Sequence, residues 1–324
     1  MTLAILCSGQ GLQHPGMFAL TADAPEAAAL FAHAATLLGG RDPRDILRSD
    51  SSATIHRDRI GQILCTLQAQ AAAAALQRDM PRRLIVAGYS VGELAAWGVA
   101  GLLDMTVALD LAARRAEVMD AASSPGDGLL FLRGLSRAAV DGLCQQHGAA
   151  VAIVNPESAF VLGGAGTALE AIAAAATAMG AARVVRIPVE VASHTSRLAG
   201  ASVEFRKVLR DAVVRPPPVG GPRLLSGIDS APVIQVEPGL DKLAAQISRT
   251  VRWADCLQAC VEAGASAFLE LGPGAALSHM AASSYGEIPS RSLEDFRTLQ
   301  GARHWLARQE SGSSAAGDRI AARG

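Results

Sequence analysis

Hydrophobic and polar positions follow two patterns along this chain. Leu3–Cys7, Leu84–Ala87 and Ala267–Leu271 are short runs that are apolar almost throughout. They are too brief for helices and lack the alternation of a half-exposed strand, so they predict strands buried on both faces of a sheet. Alanine-rich stretches with helical spacing lie between them: Pro25–Leu38, Ile60–Arg78, Gly92–Gly101 and Met105–Ala121. The second is nearly apolar all round and predicts a buried helix. Further on, Arg223–Ile228 predicts a strand, and Asp241–Gln246 and Arg252–Ala263 predict helices.

From Gly128 to about Val191 the pattern changes. Strand patterns at Leu129–Leu132, Ala150–Asn155, Ala159–Gly164 and Arg183–Val189 alternate with helices at Ser136–His147, where Ser136 is the N-cap, and at Thr167–Met179. The order βαββαβ is that of a ferredoxin-like unit. The expectation is an α/β protein. A hydrolase-like large domain with a parallel sheet covers 1–127 and 192–308, and a ferredoxin-like α+β subdomain is inserted at 128–191. A small polar tail, disordered, follows at 309–324.

Composition narrows the function classes. Half of the 324 residues are hydrophobic but only 4% are aromatic, so alanine-rich helices must pack closely to build the core. The formal net charge is −1 without a long basic run, which removes a basic nucleic-acid-binding face. The five cysteines fall in apolar segments, and Cys256 and Cys260 lack partners at zinc spacing. Free thiols of this kind fit a reducing compartment. No apolar run of about 20 residues exists, and no basic segment precedes Leu3–Cys7. A cytoplasmic protein without membrane contact is expected.

The chemistry concentrates at Gly88-Tyr89-Ser90-Val91-Gly92, between an apolar run and a helix former. Gly-x-Ser-x-Gly in this setting is a nucleophile elbow. Its glycines let chain and substrate approach a serine held in a strained turn. The new helix aims its free N–H groups at the turn, so Val91 N–H can bind an oxyanion. A serine that only caps the helix is the structural alternative, but it leaves both glycines unexplained. Leu3–Cys7 runs into Ser8-Gly9-Gln10-Gly11-Leu12-Gln13, which lacks the signatures of a phosphate loop. Gln10 N–H is there a candidate second oxyanion donor.

A serine nucleophile needs a base. Of seven histidines, His194 alone lies among small polar residues directly after the inserted unit, in Ser193-His194-Thr195-Ser196. Arg114 and Arg115 are about 100° apart on one helix and cannot face the same way. Gln62 is an isolated polar residue near the start of an apolar helix, open to either a local backbone role or a place in a site.

Taken together, these segments resemble the malonyl-CoA:acyl-carrier-protein transacylase family over almost the whole chain. The matching motifs are Gly9-Gln10-Gly11-Leu12-Gln13, Gly88-Tyr89-Ser90-Val91-Gly92-Glu93, Arg115 with Met119, Ser193-His194, Gln246 before Val251-Arg252-Trp253, and Gly272-Pro273-Gly274. The family has His where this chain has Tyr89, and opens Pro-Gly-Gln-Gly where this chain has Cys7-Ser8-Gly9-Gln10. In both respects the chain looks like the epsilon subunit of biotin-independent malonate decarboxylase. The resemblance implies Ser90 and His194 as a catalytic dyad, and Gln10 and Val91 N–H as oxyanion donors. It implies Arg115 as the contact of the malonyl carboxylate, with Gln62 and Gln246 in the pocket. No permanent cofactor is implied: malonyl-CoA is a substrate, and the acceptor is an acyl carrier protein, here the decarboxylase's carrier subunit. Two other readings compete: a serine esterase with Asp255 and His279 completing a triad, and an interaction subunit that has lost activity.

Overall fold

The computed structural model describes residues 1–321, and the side chains of residues 1–311. Its first sheet contains β1 (Thr2–Cys7) and β2 (Arg83–Gly88). The inserted unit supplies β3 (Asp127–Arg133), β4 (Ala150–Asn155), β5 (Ala159–Ala165) and β6 (Arg183–Ile187). The chain then returns to the first sheet with β7 (Arg223–Leu224), β8 (Ala267–Glu270) and β9 (Ser290–Ser292). The first sheet has the order β7-β2-β1-β8-β9, and all of its pairings are parallel. Residues Leu3–Cys7 are wholly buried, because helices cover the strand on both faces.

The second sheet has the order β4-β5-β3-β6 and is antiparallel. Its alternate side chains serve two cores. Leu130 and Leu132 of β3 face the Arg137–His147 and Gly166–Ala178 helices, whereas Leu129 belongs to the core of the large domain. Ser136 caps the first of these helices by accepting from Ala139 N–H at 3.3 Å. A ferredoxin-like unit thus lies with its helices outward and its open face toward the parallel sheet.

Contacts at its border set that face in place. Val154 N–H donates to Val251 C=O and Val251 N–H to Ala152 C=O, both at 2.9 Å, so β4 is joined to the large domain. Arg197 grips the buried Asp127 carboxylate with two bonds of 3.0 and 2.7 Å. This forked, charge-assisted contact ties the start of the unit to the segment leaving it, three residues after His194.

Two sequence expectations change at the periphery. Of the strand expected at Arg223–Ile228, only Arg223 and Leu224 are strand. Beyond them the backbone folds back, with Ser226 N–H bonded to Ala231 C=O and Gly227 C=O taken by Arg252 N–H. The last helix spans Leu299–Ala321, so the backbone continues helical beyond residue 309, where the composition predicts a disordered tail. No proline interrupts the helical ladder there. Residues 322–324 lie outside the described residues. Among the described residues, no helix is long and apolar enough to cross a membrane.

Candidate active site

The site forms where β1, β2 and β8 end side by side. Cys7 pairs with Gly88 and Leu6 with Glu270, so the loops after these strands emerge together at the carboxyl edge of the sheet. The strand-to-helix turn is so tight that glycine is obligatory at its two ends. A Cβ on Gly92 would collide with Cys7 C=O, and one on Gly88 with the Glu93 amide nitrogen. Backbone atoms of buried strands cannot step aside. Gly92→Ala is therefore expected to destabilise the fold by at least about 1–3 kcal/mol, the range for overpacking a core. Chemical denaturation of both proteins measures this.

Ser90 sits at the apex with φ +56°, a left-handed conformation that costs about 1–3 kcal/mol in a residue carrying a Cβ. That conformation presents its hydroxyl, whose Oγ lies 2.8 Å from His194 Nε2. His194 is also left-handed, at φ +62°. Its amide donates to Ile247 C=O at 2.7 Å, and its Nδ1 lies 2.6 Å from Gln246 C=O. A carbonyl only accepts, so Nδ1 carries the proton and Nε2 is free to take the Ser90 hydroxyl proton. Burial drives the imidazole pKa down to about 3, with the Arg115 charge adding to the fall and the Gln246 carbonyl opposing it. The imidazole is accordingly a neutral acceptor at physiological pH.

Two backbone amides flank the hydroxyl's loop without partners of their own. Among the described residues, neither Gln10 N–H nor Val91 N–H donates to another group of the chain. The first loop is pinned by its side chains instead. Gln10 Nε2 donates to Asp58 C=O at 3.2 Å, and Gln13 Oε1 accepts Gly11 N–H at 2.5 Å. Gly61 admits both glutamines, since a Cβ there would lie 2.6 and 2.8 Å from their amide nitrogens.

Arg115 comes from the Met105–Ala122 helix and is 1% exposed, whereas the adjacent Arg114 lies outside and pairs with Glu117 at 2.7 Å. The Arg115 guanidinium donates to Gln62 Oε1 at 2.8 Å and to Gln246 Oε1 at 3.2 Å. Burial lowers its pKa to about 10, which leaves it fully charged, while Asp58 and Glu93 hold the value up. Gln246 connects Ser90, His194, Glu93 and Arg115. Its carbonyl orients His194, its Nε2 donates to Ser90 C=O at 3.0 Å and to Glu93 Oε2 at 2.5 Å, and its Oε1 accepts Arg115.

The structure thus brings together Ser90, His194, Gln246, Gln62 and Arg115, with the Gln10 and Val91 amides left without partners among the described residues. It does not bring Asp255 and His279 to Ser90. Asp255 pairs with Arg252 at 2.6 Å, and His279 lies on the wall of a cleft of about 610 Å³. That cleft runs between the two sheets, past Gly9, Gln10 and Tyr89 on one side and Phe131, Asn155 and Ile187 on the other. The Tyr89 hydroxyl accepts from Asn155 Nδ2 at 3.3 Å, and its ring meets Trp253 edge-on at 5.3 Å. The residue before the nucleophile therefore reaches across to β4.

Three contributors escaped the sequence reading. Asp58 and Glu93 are buried beside the two glutamines, and Glu270 accepts Ser8 Oγ–H at 2.6 Å beneath the first loop. Asp58 had a signal, since it stands one helical turn before Gln62. Glu93 had one as well, as the last residue of the matched elbow motif, whereas Glu270 had none beyond being an acid inside an apolar run.

Residues 5–299 match the family model described as acyl transferase domain. A Mycobacterium bovis protein named malonyl CoA-acyl carrier protein transacylase is 30% identical over 307 residues, covering 90% of this chain and 96% of the relative. An Escherichia coli protein of the same name is 28% identical over 293 residues, with 85% and 90% covered. The crystal structure of an acyl-carrier-protein S-malonyltransferase from Burkholderia pseudomallei superposes with a TM-score of 0.86. It shares 27% identity and covers 94% of this chain and all of that one.

Proposed function

This chain belongs to the acyl transferase domain family, and on that premise we propose that it moves a malonyl group from coenzyme A to the thiol of an acyl carrier protein. The observation that carries the reading is a buried arginine, Arg115, held by two amides, one of which, Gln246, also bonds both members of a Ser90–His194 pair. A nucleophile beside a fixed, buried positive charge suits an acyl group that itself ends in a carboxylate.

The steps follow from the geometry. Ser90 Oγ attacks the thioester carbonyl while its proton passes to His194 Nε2. The Gln246 carbonyl accepts the Nδ1 proton and so steadies the imidazolium that forms. Negative charge gathers on the former carbonyl oxygen, where Gln10 and Val91 N–H receive it. When the C–S bond breaks, coenzyme A leaves as the thiol with the proton from His194, and the malonyl ester remains on Ser90. The carrier's thiol then attacks that ester, giving its proton to His194, which returns one to Ser90 Oγ. Acyl exchange between thioester and ester needs no resident cofactor. Arg115 holds the malonyl carboxylate throughout, and that bound anion offsets the charge that weakens His194 as a base.

The acceptor is the finer point. Cys7-Ser8 before Gly9-Gln10, together with Tyr89, supports the carrier subunit of malonate decarboxylase. The names of the relatives support a second reading, the carrier of fatty-acid synthesis. Transfer rates to the two carriers decide between them.

Intact-protein mass spectrometry after brief exposure to malonyl-CoA tests the reaction itself. The expected result is one malonyl adduct, mapped to Ser90, absent from Ser90→Ala and persistent until a carrier thiol is added. No adduct on the native chain defines a scaffold, and an adduct that water removes at the catalytic rate defines a hydrolase.

A further inference from the structure

Two buried carboxylates surround Arg115 without taking part in the transfer steps. Asp58 lies at the start of the Asp58–Leu76 helix and Glu93 in the first turn of the Gly92–Val99 helix; they are 8% and 1% exposed. Neither pairs with Arg115 directly. Each reaches it through one glutamine. Gln62 donates Nε2–H to Asp58 Oδ2 at 2.9 Å and accepts Arg115 on Oε1 at 2.8 Å. Gln246 donates Nε2–H to Glu93 Oε2 at 2.5 Å and accepts Arg115 on Oε1 at 3.2 Å.

The chemistry of the two ends fixes the middle. A guanidinium only donates, so each glutamine oxygen faces Arg115 and each nitrogen faces an acid, whose pKa burial raises (Glu93 to about 7) against the lowering by these hydrogen bonds. An amide placed between them satisfies both in one orientation alone, with nitrogen toward the acid and oxygen toward the arginine. Asp58, Gln62, Arg115, Gln246 and Glu93 therefore form a row whose donors and acceptors alternate from end to end. Gly227 N–H completes the Glu93 end by donating to Oε2 at 3.1 Å. A carboxylate in direct contact would instead occupy the guanidinium fork and cancel its charge. The amide spacers take one bond from each of its two terminal nitrogens and leave its charge uncancelled.

We propose that Asp58 and Glu93 are positioning residues for acyl selection: by orienting the amides of Gln62 and Gln246 they aim the Arg115 guanidinium into the acyl pocket and leave it to pair with the substrate's carboxylate. The inference rests on Arg115 as the contact of the malonyl group. It makes a prediction opposite in sign to simple electrostatics. Removing a negative charge near Arg115 would, through charge alone, strengthen binding of an anionic acyl group. Removing an acid that aims the guanidinium weakens it, because a neutral amide anchors the glutamine Nε2–H less firmly than a carboxylate does, and the oxygen that holds Arg115 is then held less firmly too.

The test uses the full chain with Asp58→Asn and Glu93→Gln, each nearly isosteric, and the exposed Arg114→Ala as control. Acylation of Ser90 is timed with malonyl-CoA and with acetyl-CoA. The expected result is a rise of about tenfold in KM for malonyl-CoA in each acid variant, the loss of roughly one hydrogen bond to a charged group. KM for acetyl-CoA shows no matching rise, and the malonyl-to-acetyl ratio in Arg114→Ala stays that of the native chain. Acetylation in the same samples reports that the variants are folded, and either variant alone decides the matter. An unchanged or increased malonyl preference in the acid variants, with the native chain malonylated normally, overturns the proposal. A native chain that forms no malonyl adduct overturns the transfer reading itself, and this inference with it.

Discussion

His194→Ala is expected to slow acylation of Ser90 by malonyl-CoA by a factor of about 10²–10⁴, the usual worth of a placed general base. No other group stands in for it. His194 Nε2 is 2.8 Å from Ser90 Oγ, whereas His279, on the cleft wall, is hydrogen-bonded to neither. His279→Ala is the comparison, with a far smaller effect; the reverse ranking would restore the triad of a hydrolase. The pH dependence gives a second measurement. His194 acts in its neutral form, and its pKa of about 3 keeps that form dominant down through pH 5. Bound malonate offsets only the smaller, Arg115 part of that fall while burial persists, so with saturating malonyl-CoA single-turnover acylation is still expected to hold level from pH 8 to pH 5. An imidazole at the ordinary value of about 6.5 would retain only about 3% of its base form at pH 5. A fall of that size would place His194 in a more solvated setting than the structure gives it.

Arg115→Ala carries the other large effect. The guanidinium is 1% exposed, and the malonyl carboxylate entering this pocket loses its water as well. Truncating one partner of such a pair leaves the other buried and unmatched, at a cost of about 3–5 kcal/mol. Malonyl transfer is expected to fall by about 10²-fold or more, since about 1.4 kcal/mol is tenfold. Acetyl transfer loses no ion pair and is spared, or gains from the removal of an uncompensated charge. The ratio of the two rates is the quantity to measure, because a general loss of packing cancels in it. Arg114→Ala supplies the control, as that side chain is exposed and paired with Glu117. If Arg114→Ala collapses the ratio and Arg115→Ala preserves it, the wrong arginine has been assigned.

Local sequence was enough wherever a short segment determines its own conformation. The all-apolar runs at Leu3–Cys7 and Leu84–Ala87 became central parallel strands, because a strand covered on both faces has no polar side to show. The βαββαβ order became the four-stranded antiparallel sheet with its two helices, since each element keeps its own period. Gly-x-Ser-x-Gly became a strained elbow, because the crowding that demands glycine is set by the turn and the strand beside it.

What the sequence left open depended on contacts between distant segments. The strand expected at Arg223–Ile228 stopped after two residues, where Arg252 drew Gly227 away from the sheet. The Ala199–Arg210 helix was missed, although it buries Phe205 and Leu209 against the large core. Helix spacing set Arg115 and Arg114 about 100° apart without choosing between them, and only the family resemblance pointed to Arg115. Burial against Gln62 and Gln246, 53 and 131 residues away, made that choice. The tautomer that leaves His194 Nε2 free to accept from Ser90 likewise depends on Gln246 C=O. Asp58 and Glu93 were invisible as a pair, because an acid gains such a role only where folding removes water and leaves two amides to face it. The sequence by itself settled which residues bear reactive groups and where the backbone must bend; only the tertiary structure settled which of them are dry, paired and aimed at one another.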